Sequence, residues 1–433
     1  MEALKHNTNI TSIEFFCEMD ERDAALFRSM MRINKTIKKI TVVHQLLKTE
    51  PVKILSEIIR NNLTIKKFTI VWNNRDLETY LDPGFQILSE GLEKSTIMRL
   101  ILQGMPFNQS HIDSLAKILS GSKFLTHLEL TAILRLPPYK QDIIKPAMLS
   151  MENLISLKLD KFSLTDSESA LVADLLKTSK NLRELMLIDC NPNWTLIQEG
   201  LEVNTTLEPL ILEDLYDSVI PQITRINKSL KKLSIKTNRK KIANFQPILG
   251  MLKDNYNLRA LNLKGYQLVQ RDVIKIARLL TPGYNLQILT FDVPKSEQYG
   301  AYVQMLDLKN NDTLTELNLG PCWTGFSDFN LLVGNLNEIL LDVLTVNESL
   351  CDMTFQNEKV SLDVHDLLES NKAERSRVFR NAILIVNIIA MRPNQFEAIL
   401  PLDIWAVIFR WIRHPGLLTE FDRLFWKQLK HYS

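Results

Sequence analysis

The sequence predicts an α/β solenoid in which short parallel strands line an inner, concave sheet and helices form the outer layer. Three observations predict it. A phrase of the form polar-x-(Thr/Ser/Asn)-Leu-x-x-Leu-x-Leu recurs thirteen times in 433 residues. Six of the twelve spacings between first apolar members are 28 residues, and the others run from 23 to 36. Segments with apolar residues at helical spacing lie between the phrases. Self-similarity at a near-fixed period marks an array that grows in one dimension, so chain length sets no domain count.

In order, the apolar triplets are Ile10/Ile13/Phe15, Ile37/Ile40/Val42, Ile65/Phe68/Ile70, Ile97/Leu100/Leu102 and Leu125/Leu128/Leu130. Leu154/Leu157/Leu159, Leu182/Leu185/Leu187, Leu207/Leu210/Leu212 and Leu230/Leu233/Ile235 follow. Leu258/Leu261/Leu263, Leu286/Leu289/Phe291, Leu314/Leu317/Leu319 and Leu350/Met353/Phe355 complete the set. The last two members of each triplet alternate with polar neighbours, as a half-buried strand requires. The first turns in from the preceding loop. Residues 114–119, 170–176 and 273–280 show the helical pattern, apolar on one face. One strand and one helix cannot bury their apolar faces alone, whereas stacked units share a continuous core.

These phrases, most clearly the segment 154–166 with Leu154, Leu157, Leu159 and Leu164, resemble leucine-rich repeats of the ribonuclease-inhibitor type over roughly residues 1–370. The resemblance implies a horseshoe whose concave sheet binds a partner protein. At the ladder position, eight residues after the first leucine, Asn73, Cys190, Asn238 and Cys322 fit the resemblance. Met105, Ile133, Phe162, Leu215, Tyr266 and Pro294 do not, which predicts irregular turns after several strands. The short spacings at 182–207 and 207–230 predict distorted curvature through loss of a helix. Insertions are expected around 72–84 and 321–345, and no cap precedes the first strand. Residues 370–377, where charges replace leucines, read as a closing cap. The expected domains are a solenoid of about thirteen repeats over 1–377 and a helical region over 378–433. The eroded ladder, the Asn/Lys/Ile-rich wording and the C-terminal Leu-Pro-x-Asp-Ile segment at 400–404 resemble effectors of Legionella-type intracellular bacteria.

Composition excludes several classes. A net charge of +2 predicts no global attraction to nucleic acid or anionic membrane. Cys17, Cys190, Cys322 and Cys351 are too scattered for a disulfide framework or a zinc site. The start lacks a signal-peptide core, and the apolar run 382–390 is broken by Asn387, far short of a ~20-residue span. The expectation is a cytoplasmic protein, in host cytosol if it is a secreted effector. No nucleotide-binding loop or metal-binding histidine pair occurs, so no catalytic residue, metal or cofactor is expected. Six Asn-x-Ser/Thr triplets, at Asn34, Asn62, Asn204, Asn227, Asn311 and Asn347, start three residues before a first apolar member. Short polar side chains there are expected to bond the turn backbone rather than carry glycans.

Side chains flanking the inward leucines should project from the concave face. The candidate binding residues are Lys39, Lys67, Arg99, His127, Lys158, Glu184, Lys232, Lys236, Asn262 and Lys264. Such a mosaic of charge suits a protein partner. The basic stretch 228–241 has no interleaved aromatics, which disfavours nucleic acid. In the tail, Leu400, Pro401, Ile404, Ile408 and Phe409 resemble the opening of an F-box, which docks Skp-type adaptors of ubiquitin ligases. Asp403 stands where that pattern has Glu, and a helix packed on the last repeat is the other reading of the same stripe. The function expected is non-enzymatic binding of a host or other partner protein, with a ubiquitin-ligase substrate receptor as the alternative.

Overall fold

In a computed structural model of the chain, the last two members of every apolar phrase lie on a β-strand. The strands are β1 (Ser12–Phe15), β2 (Lys39–Val43), β3 (Lys67–Val71), β4 (Arg99–Met105), β5 (His127–Ala132), β6 (Ser156–Asp160) and β7 (Glu184–Ile188). β8 (Pro209–Glu213), β9 (Lys232–Lys236), β10 (Ala260–Gln267), β11 (Ile288–Val293), β12 (Glu316–Pro321) and β13 (Asp352–Phe355) follow. The helices are α1 (Glu21–Ile33), α2 (Thr49–Asn61), α3 (Pro83–Glu93), α4 (Gln109–Gly121), α5 (Asp166–Thr178) and α6 (Trp194–Val203). Further along the chain come α7 (Gln270–Ala277), α8 (Leu336–Leu344) and α9 (364–373). The structure describes residues 2–373 except 16–18, 44–48, 73–82, 106–108, 133–151, 163, 214–226, 237–254, 269, 281–284, 294–302, 304–305, 322–335 and 356–363. The tail expected to be helical, including Leu400, Pro401, Ile404, Ile408 and Phe409, lies outside the described residues. So do the proposed boundary at 377/378 and most of both expected insertions.

The fold is a leucine-rich-repeat α/β solenoid built as two units, Met1–Asn255 and Tyr256–Ser433. In the first unit β1 to β9 pair in parallel and in chain order. Register follows the phrase, so Ile40 pairs Phe68, Phe68 pairs Leu100 and Leu100 pairs Leu128. The triplets from Ile37 to Ile235 are buried and form the core under one face of the sheet. Helices α2, α3 and α4 pack side by side, as do α5 and α6. A Cβ on Gly91 would lie 2.4 Å from the Ser56 carbonyl oxygen, so only glycine allows α3 to approach α2 this closely. In the second unit β10 to β13 pair in parallel, again in chain order, over a core that includes Leu261, Leu289 and Leu317.

Two polar ladders join successive repeats. The residue just before most strands offers a carbonyl that accepts two backbone N–H groups from the next repeat, whereas Arg183 O takes only Glu208 N because Pro209 has no N–H. Lys38 O takes Lys66 N at 2.8 Å and Lys67 N at 3.0 Å, and Lys66 O takes Met98 N and Arg99 N at 2.9 and 3.0 Å. The second ladder is the Asn-x-Ser/Thr triplet. Asn204 Oδ1 accepts from Thr206 N and Leu207 N, while its Nδ2 donates to Leu176 O at 2.8 Å in the preceding repeat. Thr206 Oγ1 donates to Leu182 O at 2.7 Å. Asn62, Asn227, Asn311 and Asn347 repeat the pattern, and Asn255 and Asn371 make its backward bonds. Asn34 reaches back to the carbonyls of Leu4 and Asn7, so residues ahead of β1 supply what a preceding repeat would. That corrects the expectation of no cap there. All six triplet asparagines are buried with the amide nitrogen engaged, as the backbone-bonding reading expects. Such a nitrogen offers no glycan attachment.

Turns after the strands are irregular in a regular way. The residue seven after the first apolar member takes a positive φ at Gly104 (69°), Lys161 (62°), Asp189 (47°) and Gly265 (89°). Only at the two glycines is this conformation without side-chain strain. The next position is filled by the buried side chains of Met105, Phe162 and Cys190. Cys190 Sγ donates to Ile188 O at 3.2 Å, and burial pushes its thiol up to about 12. The helix expected to be lost between β7 and β8 is retained. Trp194 opens α6 and is buried with Ile197 and Leu201, so the apolar stripe keeps a shortened helix in place.

Candidate protein-binding surface

Alternation places three rows of side chains on the exposed face of the first unit's sheet. The first row runs Ser12, Lys39, Lys67, Arg99, His127, Ser156 and Glu184 across β1 to β7. Lys232 continues this position on β9, opposite Pro209. The second row carries Thr41, Thr69, Ile101, Glu129, Lys158, Met186, Ile211 and Ser234. In the third lie Val43, Val71, Gln103, Thr131, Asp160, Ile188, Glu213 and Lys236. Eight of the ten sequence-derived candidates are therefore on this face. Asn262 and Lys264 belong to the second unit, where Asn262 Oδ1 accepts from Lys264 N at 3.1 Å.

Charge is handled differently along the face. Lys39, Lys67 and Arg99 stand side by side on neighbouring strands, about 4.8 Å apart. No ion pair holds any of the three among the described residues. Further on, Lys158 Nζ meets Glu129 Oε1 at 2.5 Å and Lys236 Nζ meets Glu213 Oε1 at 2.6 Å. Ser156 Oγ donates to Glu184 Oε2 at 2.7 Å, and Thr131 Oγ1 to Asp160 Oδ2 at 3.4 Å. Partial burial holds the His127 imidazole below its ordinary value, the Arg99 cation pushes the same way, and Glu184 opposes both. Its Nδ1 lies 2.8 Å from Thr126 Oγ1. Asp160 is shifted upward by burial, with Lys158 and Lys161 opposing.

Sequence reasoning missed which candidates have their charge spent. Lys158 and Lys236 are each ion-paired one strand away, while Glu184 accepts from the neutral Ser156 hydroxyl and keeps its charge. It also missed a groove at the edge where the chain enters β3 to β7. Met98 (44% exposed), Phe124 (54%) and Ile155 (37%) form its apolar part, with Lys66, Lys123 and Arg183 around them. The available signal was an apolar residue directly before β4 and β6, where Lys38, Lys66 and Lys231 occupy the same place in other repeats.

No protein-family profile matches the chain, and no curated protein matches it. Solved structures do. One is the TLR13–ssRNA13 complex, at 16% identity and a TM-score of 0.42. That match covers 73% of this chain but 40% of the other. The complex of Rad7 and Elc1 in yeast matches at 17% identity over 79% of this chain and 82% of the other, with a TM-score of 0.44. At that identity and overlap, nothing about ligands passes from those proteins to this chain.

Proposed function

We propose that the exposed sheet face of the first unit binds another protein, presenting Lys39, Lys67 and Arg99 to an acidic surface, and that the chain is a binding module rather than an enzyme. The carrying observation is the basic row across β2 to β4, which no ion pair compensates among the described residues. Like charges in register on adjacent strands weaken a sheet, and a partner's carboxylates would offset that repulsion. The other titratable groups of the face do not converge as acid, base and nucleophile would. Glu129 is paired with Lys158, Glu184 with Ser156, and His127 with Thr126.

The finer reading is an effector that acts on a host protein, supported by the sequence resemblance alone. Affinity capture from eukaryotic cytosol, repeated with Lys39→Glu, Lys67→Glu and Arg99→Glu combined, tests the surface. The combined variant should lose the captured protein, and unchanged capture would reject the assignment. A second reading, a substrate receptor for a ubiquitin ligase, rests on Leu400, Pro401, Ile404, Ile408 and Phe409. Deleting residues 395–433 would then release a Skp-type adaptor while leaving the sheet-bound protein in place.

A further inference from the structure

We infer a second binding surface, separate from the sheet face: the edge groove before β3 to β7 docks an extended acidic peptide with a bulky apolar centre. Residues Lys66, Met98, Thr126, Ile155 and Arg183 each sit immediately before a strand. Their backbone groups are fixed in the inter-repeat ladder, so these positions recur about every 4.8 Å. The row therefore reads basic, apolar, polar, apolar, basic, with Phe124 adding a largely exposed ring beside it. Met98, Phe124 and Ile155 line the same groove, with Thr126 between Met98 and Ile155 along the row. The groove encloses about 620 Å³, and none of the residues lining it is acidic.

Charge and length together select the occupant. Lys66 and Arg183 bound the row at its two ends, and Lys123 adds a third cation next to Phe124. Arg183 touches Glu208 at 3.8 Å, an exposed contact that leaves the groove net positive. Four strand spacings separate Lys66 from Arg183, about 19 Å, which an extended segment of about six residues spans. The matching peptide has carboxylates near both ends and leucine- or phenylalanine-sized side chains between them. A single aromatic ring gives no stacking platform for successive bases, which places RNA behind an acidic peptide.

Methyl-labelled methionine in the full chain supplies a local reporter, with the Met98 resonance assigned through Met98→Leu. The probes are fluorescein-labelled peptides with a leucine–phenylalanine centre flanked by glutamates, a lysine-flanked counterpart, and a labelled oligouridylate. The glutamate peptide should move the Met98 methyl signal, and Phe124→Ser or Lys66→Glu with Arg183→Glu should weaken it at least about tenfold. Lys39→Glu with Arg99→Glu should leave that affinity within about twofold, which separates this groove from the sheet face. All these side chains are at least partly exposed, and melting curves confirm that each variant folds. A silent Met98 signal, preference for the lysine peptide or the oligonucleotide, or equal loss in the sheet-face variant would overturn the inference.

Discussion

Across β2 to β4 the first exposed row runs Lys39, Lys67, Arg99, with no opposite charge paired to it among the described residues. Across β5 to β9, Lys158 is paired with Glu129 and Lys236 with Glu213, whereas Glu184 accepts only from the neutral Ser156 and Lys232 is in no ion pair among the described residues. The scaffold beneath the two regions is the same. Each has the carbonyl ladder, single-donor only at the step into Pro209, and buried asparagines that tie one repeat to the one before. The difference teaches that repeats of equal construction divide the labour. One stretch pairs two of its lysines internally, and on the proposed function the other offers its cations to a partner.

If the scaffold is shared, breaking it should cost alike in both regions. Asn62→Ala and Asn204→Ala each strand a buried carbonyl, one buried N–H and one part-buried N–H, a loss of about 2–4 kcal/mol in urea unfolding. A much smaller loss in one of them would break the claim of equal construction. The next effect belongs to the second region alone. Glu168 closes a capping box on α5, accepting from Thr165 N, and burial pushes its carboxyl up to about 7. A raised folded value means its stabilisation is complete below the ordinary carboxylate range and is lost as pH rises through about 7. Thermal stability followed from pH 4 to 8 should therefore carry a decline that Glu168→Gln removes, on the order of 2 kcal/mol. A variant with the same slope as the parent would reject that role. Smallest is the contrast between lysines. Lys158→Ala should cost about 0.5–1 kcal/mol by losing a half-buried pair. Lys67→Ala should leave the melting temperature unchanged or slightly higher, since it relieves repulsion along the row. Equal destabilisation by both would mean that Lys67 is compensated after all.

Much of this architecture was legible in the sequence because the repeat fixes register. Once Ile40 and Val42 are assigned inward, Lys39 and Thr41 must face outward, and a near-constant period carries that alternation from strand to strand. The asparagine triplets were legible locally as turn-bonding residues. Their backward bonds, such as Asn204 to Leu176 O, were not, because they join residues 28 apart that only stacking brings together. Charge compensation was hidden for the same reason. Lys158 and Glu129 are 29 positions apart, and nothing in either phrase signals the other. The αL residues at Lys161 and Asp189 carried no signal, since neither is glycine. The edge groove escaped notice because the recurring phrase leaves the residue before a strand unspecified, so Met98 and Ile155 drew no attention there.

The most direct test compares affinity for the captured partner between two triply reversed chains, one with Glu at 39, 67 and 99 and the other with Glu at 158, 232 and 236. The account predicts a loss of about thirtyfold or more in the first and no more than about threefold in the second, roughly 2 kcal/mol against 0.6. Equal losses, or a larger loss in the second, would contradict it.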